Sequence, residues 1–343
     1  RGHAHAPRAR GEAAAGALAH ALNGPPYPRP VAESRALRVA FLGNDPWSVP
    51  SLEALARSRH DVVAVVTRVP RPGRRGQGPA PTPVAAAART FGLPLVEVET
   101  VKSGPGFEAL ARAAADVLAV VAYGEILPAA ILNMPTIAPV NVHFSLLPML
   151  RGASPVHTAL LLGMDETGVT TIRMDPGLDT GPILGRRSEP IREDDDSGSL
   201  GARLAGIGAD LLVETLDDLS AGRATPVPQD DAQATFAPKL GPADRRLDWN
   251  EPARVLVNRV RAFAPDPGAA TTFRGRPLKV LRAQAVEGAG EPGVVVDVDE
   301  NGFVVATEDR GFRPLEVAPA GGRRMSAADF ARGHHPVRGE RLE

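Results

Sequence analysis

From Leu37 onward, short apolar runs alternate with amphipathic stretches. This alternation predicts an α/β fold, a doubly wound parallel sheet followed by a smaller β-rich domain. Two further features mark the division. A stretch of helical period from Ser199 to Leu219 closes the alternating region. Beyond a Pro- and Ala-rich interval the chain continues as apolar runs broken by turn residues, Asn301-Gly302 among them.

The elements follow in order. LRVAFLG, from Leu37, reads as a strand, and VPSLEALAR repeats its apolar residues at helical spacing. DVVAVVT, LPLVEV and DVLAVVAYG are further strands, separated by the helices PVAAAARTFG and GFEALARAAA. Repeated βα units demand parallel pairing, because each crossover returns the chain to the same end of the sheet. PVNVHF is the next strand. Ligands of such sheets bind at the carboxyl ends of strands, so chemistry is expected around His143. In the long helix Leu200, Leu204, Ile207, Leu211, Leu212, Leu216 and Leu219 recur at helical spacing. SAGRATPVPQDDAQATFAPKL has no period and reads as a flexible linker. EPARVLVNRVRAF is then a helix, and PLKVLRAQAV, GVVVDVD and GFVVATE are strands of a small barrel or open sheet. The expected division is a disordered leader over 1–36, a first domain over 37–221, a linker over 222–240 and a second domain over 241–343.

Composition narrows the chemistry. The 343 residues carry a net charge of −1, so any contact with a polyanion must come from local patches. There is no cysteine, which removes thiolate nucleophiles, disulfides and thiolate-built zinc sites. No metal is expected, and neither a GxGxxG nor a Walker A sequence occurs. No apolar run approaches the ~20 residues that span a bilayer. A soluble, monomeric, cytoplasmic protein with no membrane partner is expected. The alternative is an organelle matrix, if the Ala/Arg-rich residues 1–36 are a transit peptide.

Asn141 and His143 stand two apart on a strand, so they share a face while Val142 takes the other. Downstream, GVTTIRMDPGLDTGPIL runs a strand into a turn in which glycines flank Leu178-Asp179-Thr180 and present a carboxylate. Taken singly, these are an ordinary core histidine and an ordinary turn aspartate. Together an amide, an imidazole and a carboxylate suit acyl transfer to an amine without a covalent intermediate: two donors for the oxyanion, and a carboxylate to orient the imidazole and help remove the amine proton.

NVHFSLLPMLRGASPVHTALLLG, followed by ETGVTTIRMDPGLDTGPIL, resembles the core of the 10-formyltetrahydrofolate-dependent formyltransferase superfamily, with its Asn-x-His-x-Ser-Leu-Leu-Pro signature and Leu-Asp-Thr-Gly turn. FLGNDPWSVPSLEAL, RPGRRGQGPAPTPV, FAPKLGPADRRLDW and RRMSAADFARG are similar to the methionyl-tRNA formyltransferases within it. The resemblance runs from about Leu37 to the C-terminus. It implies a Rossmann-like catalytic domain followed by an OB-like, tRNA-binding barrel. It also implies 10-formyltetrahydrofolate as co-substrate, initiator Met-tRNA as acceptor and a role in translation initiation. It assigns catalysis to Asn141, His143 and Asp179. Folate contacts fall on Ser145, Leu146, Leu147 and Pro148 and on the segment holding Tyr123, Gly124, Ile126 and Leu127, through backbone hydrogen bonds to the pterin. The tRNA acceptor region would meet Arg71, Arg74 and Arg75.

The chain departs from the family pattern at Asn44-Asp45-Pro46-Trp47, Gln77-Gly78, Phe144 and Met149-Leu150, positions that the resemblance implies lie nearer the acceptor than the transfer chemistry. Two alternative activities share that chemistry, N-formylation of a sugar nucleotide and hydrolysis of 10-formyltetrahydrofolate. A non-enzymatic folate- or RNA-binding relative is a third reading, against which the intact Asn141, His143 and Asp179 stand.

Overall fold

The computed structural model describes residues 35–70 and 80–343. The expected leader, 1–36, therefore lies outside the described residues save for Arg35 and Ala36, and Arg71, Arg74 and Arg75 lie outside them altogether.

The first part of the chain runs β1 (Arg38–Gly43), α1 (Val49–Arg57), β2 (Asp61–Arg68), α2 (Pro83–Thr90), β3 (Leu95–Val98), α3 (Gly104–Ala113), β4 (Val117–Val121), α4 (Ala129–Leu132), β5 (Ala138–His143), α5 (Pro155–Leu161), β6 (Glu166–Arg173), β7 (Ile183–Pro190) and α6 (Ser197–Ser220). The seven strands form one sheet in the order β3-β2-β1-β4-β5-β6-β7. Side-chain alternation divides its core between two faces. Val39, Phe41, Val117, Ala119 and Val121 pack with Leu52 and Leu55 of α1, Val84 of α2 and Leu200, Leu204 and Leu212 of α6. Ala40, Leu42, Leu118 and Val120 pack with Leu110 of α3 and Ile131 and Leu132 of α4 on the other side. That is the doubly wound arrangement read from the sequence.

Strand direction departs from a uniformly parallel sheet. β1 to β5 pair in parallel, but β6 returns antiparallel to β5 and β7 antiparallel to β6. β6 and β7 are a hairpin whose connection is the Met174–Pro182 turn, so no crossover stands between them. With His143 paired to Thr170 and Val140 to Arg173, the turn begins level with the amino-terminal half of β5 and folds back over the strand, so that Asp179 reaches Asn141 and His143.

α6 starts on a reciprocal cap: Asp196 accepts from the Ser199 N–H at 2.8 Å, and Ser199 Oγ accepts from the Asp196 N–H at 3.1 Å. Its Gly201 admits the Trp47 ring, which would lie 2.2 Å from a Cβ added there. Trp47 also meets Phe144 edge-on at 6.1 Å between centroids.

The second part opens with α7 (Ala253–Phe263) and continues as β8 (Ala269–Phe273), β9 (Arg276–Val286), β10 (Val295–Asp299), β11 (Gly302–Ala306), β12 (Gly311–Pro319), β13 (Met325–Ser326) and α8 (Ala327–His334). The sheet order is β10-β11-β12-β9-β8, with β13 on β12. Between the two end strands runs the segment 339–343. Leu342 bridges Phe273 of β8, Arg341 bridges Val294 beside β10, and the Thr272 and Val295 N–H groups donate to Glu343 and Glu340 carbonyls at 2.7 Å each. The sheet thereby closes toward a barrel around Leu278, Val280, Phe303, Val305, Phe312 and Phe330.

The two parts are joined by more than chain. Ala262 and Phe263 of α7 belong to the core of the first part. Arg261 donates to the Asp195 and Arg192 carbonyls at 2.8 and 2.6 Å, and Ser197 Oγ donates to the Ala264 carbonyl at 2.6 Å.

Candidate active site

Three elements converge at the carboxyl end of β5. The strand supplies Asn141 and His143, the β6–β7 turn supplies Asp179, and the loop before α5 supplies Leu150 to Gly152. Asp179 sits at φ +54°, a left-handed conformation that turns its side chain back toward the strand. Its Oδ1 accepts from Asn141 Nδ2 at 3.3 Å, its Oδ2 accepts from the Gly152 N–H at 2.8 Å, and Oδ2 also lies 3.6 Å from His143 Nδ1. Gly152, at φ +121°, comes so close to the neighbouring chain that an added Cβ would stand 2.5 Å from the Ala237 carbonyl oxygen.

His143 is held from its far side. Nε2 lies 2.9 Å from the Leu150 carbonyl oxygen. An oxygen there can only accept, so Nε2 carries the proton and Nδ1 is the atom turned toward Asp179. The ring is buried and Asp179 nearly so. Water is thus largely displaced around both groups, and their mutual interaction is stronger than it would be at the surface.

The Ser145–Pro148 turn directs most of its polar groups into the protein. Ser145 Oγ donates to the Met149 carbonyl at 2.5 Å. Thr170 Oγ donates to the Ser145 carbonyl at 2.7 Å and accepts from the Leu147 N–H at 3.1 Å, while Arg186 donates to the Leu147 carbonyl at 3.2 Å. Ser145 and Leu147 are buried, and Leu146 and Pro148 are half-buried.

The Tyr123–Leu127 segment lies across the sheet at the switch point, where the chain leaves β1 in one direction and β4 in the other. The Asn44 side chain bridges that crevice. It donates to the Tyr123 carbonyl and accepts from the Thr67 hydroxyl at 2.8 Å and the Arg68 N–H at 2.7 Å. Tyr123 and Leu127 are buried anchors, whereas Ile126 between them is 75 % exposed. Among the described residues the backbone groups of Gly124 to Leu127 have no hydrogen-bond partner. Burial, with a further contribution from Glu125, pushes the Tyr123 phenol up to about 12, so it stays protonated.

The structure thus brings Asn141, His143 and Asp179 into one cluster. Several of its supports escaped the sequence reading, namely Asn44 as a bridge, Gly152 as a donor, and Arg151 and Gln229 beneath the Asp179 turn. Asn44 and Gly152 stand in stretches of recognisable pattern, but Gln229 sits in a segment without period and gave no signal.

The sequence matches the Formyl transferase family over residues 37–216 and the Formyl transferase C-terminal domain over 239–335. It is 43 % identical over 308 residues to the methionyl-tRNA formyltransferase of Solibacter usitatus, covering 89 % of this chain and 98 % of that protein. The chain belongs to the methionyl-tRNA formyltransferase family. Another member of that family, from Thermus thermophilus, is 45 % identical over 306 residues, covering 89 % of this chain and 99 % of that one. The N-formyltransferase of Helicobacter canadensis, solved in complex with folinic acid and dTDP-3-aminofucose, matches with a TM-score of 0.60 at 17 % identity over 84 % of this chain and 100 % of that one, a likeness of fold. No described helix of this family member is long and apolar enough to cross a membrane.

Proposed function

We propose that this chain transfers the formyl group of 10-formyltetrahydrofolate to the α-amino group of methionyl initiator tRNA, the formylation that prepares this tRNA for translation initiation. The convergence of Asn141, His143 and Asp179 carries the chemistry, and membership of the methionyl-tRNA formyltransferase family supports the acceptor.

The reaction forms a bond from the amine nitrogen to the formyl carbon and breaks the bond from that carbon to the folate N10. Attack places negative charge on the formyl oxygen. Asn141 Nδ2 has a second N–H beyond the one directed at Asp179 and offers it to that oxygen. The attacking nitrogen must also lose a proton. His143 Nε2 is committed to the Leu150 carbonyl, so Nδ1 takes the proton, and the resulting imidazolium is held between a carbonyl and the Asp179 carboxylate. Returned to N10 as the carbon–nitrogen bond breaks, the same proton completes the balance.

Folate binding is assigned to the unpaired backbone edge of Gly124 to Leu127, with Tyr123 as its anchor and Ile126 as apolar cover. The Ser145–Pro148 turn serves as a wall, since most of its polar groups are already spent. Arg71, Arg74 and Arg75 are assigned to tRNA phosphates together with the second domain. The compartment assigned is the cytoplasm, with an organelle matrix as the alternative.

The test is an acceptor comparison with 10-formyltetrahydrofolate and the full chain. Formyl groups should appear on Met-tRNA, with little transfer to an amino-sugar nucleotide and little folate turnover when no acceptor is present. Transfer to the sugar in preference to tRNA, or folate turnover independent of any amine, would replace this reading with one of the two alternatives.

A further inference from the structure

Beneath the Asp179 turn, the segment that follows α6 comes back across the sheet and closes on the site. Val227 pairs with Ile183 through two bonds of 2.8 Å, and Arg151 exchanges backbone hydrogen bonds with Thr235 and Ala237 at 2.9 and 2.8 Å. Between these two anchor points stands Gln229. Its amide Nε2 donates to two carbonyls of the turn, those of Asp179 and Gly181, at 2.7 Å each. Its Oε1 accepts from Arg151 Nε at 3.1 Å and Nη2 at 2.8 Å. Arg151 is 4 % exposed, and its Nη2 reaches Asp231 of the same returning segment at 2.7 Å.

We infer that Gln229, fixed by Arg151, is a positioning residue for catalysis that holds Asp179 in the geometry the transfer requires. The inference rests on the role proposed for Asp179. A non-glycine residue at φ +54° persists only where its surroundings impose that conformation. Here the carboxylate is fixed by Asn141 and Gly152 on one side, and the peptide carbonyls on either side of Thr180 are fixed by one side-chain amide on the other. Arg151 ties the two sides together, because its neighbour Gly152 supplies the N–H to Asp179 while its guanidinium orients Gln229. With its oxygen saturated by Arg151, the Gln229 amide can only present its nitrogen to the turn. Loss of that donor leaves two carbonyls unpaired and lets the Asp179 turn relax away from His143. A displacement of about 1 Å at a catalytic group costs up to about a hundredfold in rate.

Gln229→Glu makes the sharpest test because it is nearly isosteric. The carboxylate still accepts from Arg151 but donates nothing to Asp179 or Gly181. We expect kcat for formyl transfer to fall by about ten- to a hundredfold, with KM for folate changed less than threefold and the melting temperature within a few degrees of wild type. Gln229→Leu should do the same. In an Asp179→Asn background either change should cost little further, since both act through one group. Hydrogen exchange supplies a readout besides activity: the Gly152 amide and the 177–181 backbone should exchange faster in Gln229→Glu. Wild-type turnover in Gln229→Glu, full additivity with Asp179→Asn, or unchanged exchange at Gly152 would each overturn the inference. A wild-type rate in Asp179→Asn alone, with exchange at Gly152 still altered by Gln229→Glu, would instead remove Asp179 from the mechanism and leave the latch in place.

Discussion

At the residue scale, what distinguishes the candidate site is how its polar side chains constrain one another. His143 has one nitrogen on a carbonyl and the other facing a carboxylate, and Asn141 has one amide hydrogen directed to that same carboxylate. Replacing either by Ala should therefore lower kcat by about 10²–10³-fold, the range for loss of an oxyanion or proton-transfer group, with folate affinity almost unchanged. Steady-state kinetics beside a direct folate-binding titration checks it, and a parallel loss in both would mark the pair as structural. That the two share a face was legible from strand alternation, but their grouping with Asp179 as a candidate site came from the chemistry of the set and from the family resemblance. Asp179 was legible from its flanking glycines. Arg151 and Gln229 were not, since their roles come from a contact between residues 78 positions apart.

At the element scale, the βα units, the long helix and α7 could be read because each has a local period. What could not be read is direction and closure. β6 and β7 are joined by a turn with no crossover helix, and the antiparallel return of β6 on β5 is a non-local pairing that no local period announces. β12 contains Pro314 and opens with Gly311, so it lacks a strand's usual composition, and the 339–343 segment that closes the second sheet joins it through long-range bridges. The elements also carry their own predictions. Gly152→Ala should lose activity and stability together, since a Cβ at φ +121° would meet the Ala237 carbonyl 2.5 Å away. Asp196→Ala removes the side-chain cap of α6 and should cost about 1 kcal/mol in denaturant unfolding, with kcat unaffected.

At the scale of the whole molecule, the second part is seated on the first. Phe263 of α7 is 4 % exposed within the first core, so Phe263→Ala should destabilise by about 3–5 kcal/mol. Asp195, whose backbone carbonyl receives Arg261, adds a pH dependence. Burial alone would raise its carboxyl, but hydrogen bonds from Arg203, the Arg192 N–H and Ser199 outweigh it and hold the group at about 2. A folded value below the unfolded one of about 3.9 stabilises the protein above that pH and ceases to do so as pH falls toward 2. Thermal melts should show Asp195→Asn less stable than wild type at pH 7, with the gap narrowing as pH falls from about 4 toward 2. The account as a whole depends on transfer chemistry by one cluster of three side chains. Its most direct measurement is the single-turnover rate of formyl transfer from 10-formyltetrahydrofolate to Met-tRNA by Asp179→Asn, with folate affinity measured on the same protein. The account predicts a fall of at least about a hundredfold at near-constant affinity. A rate close to wild type would contradict it.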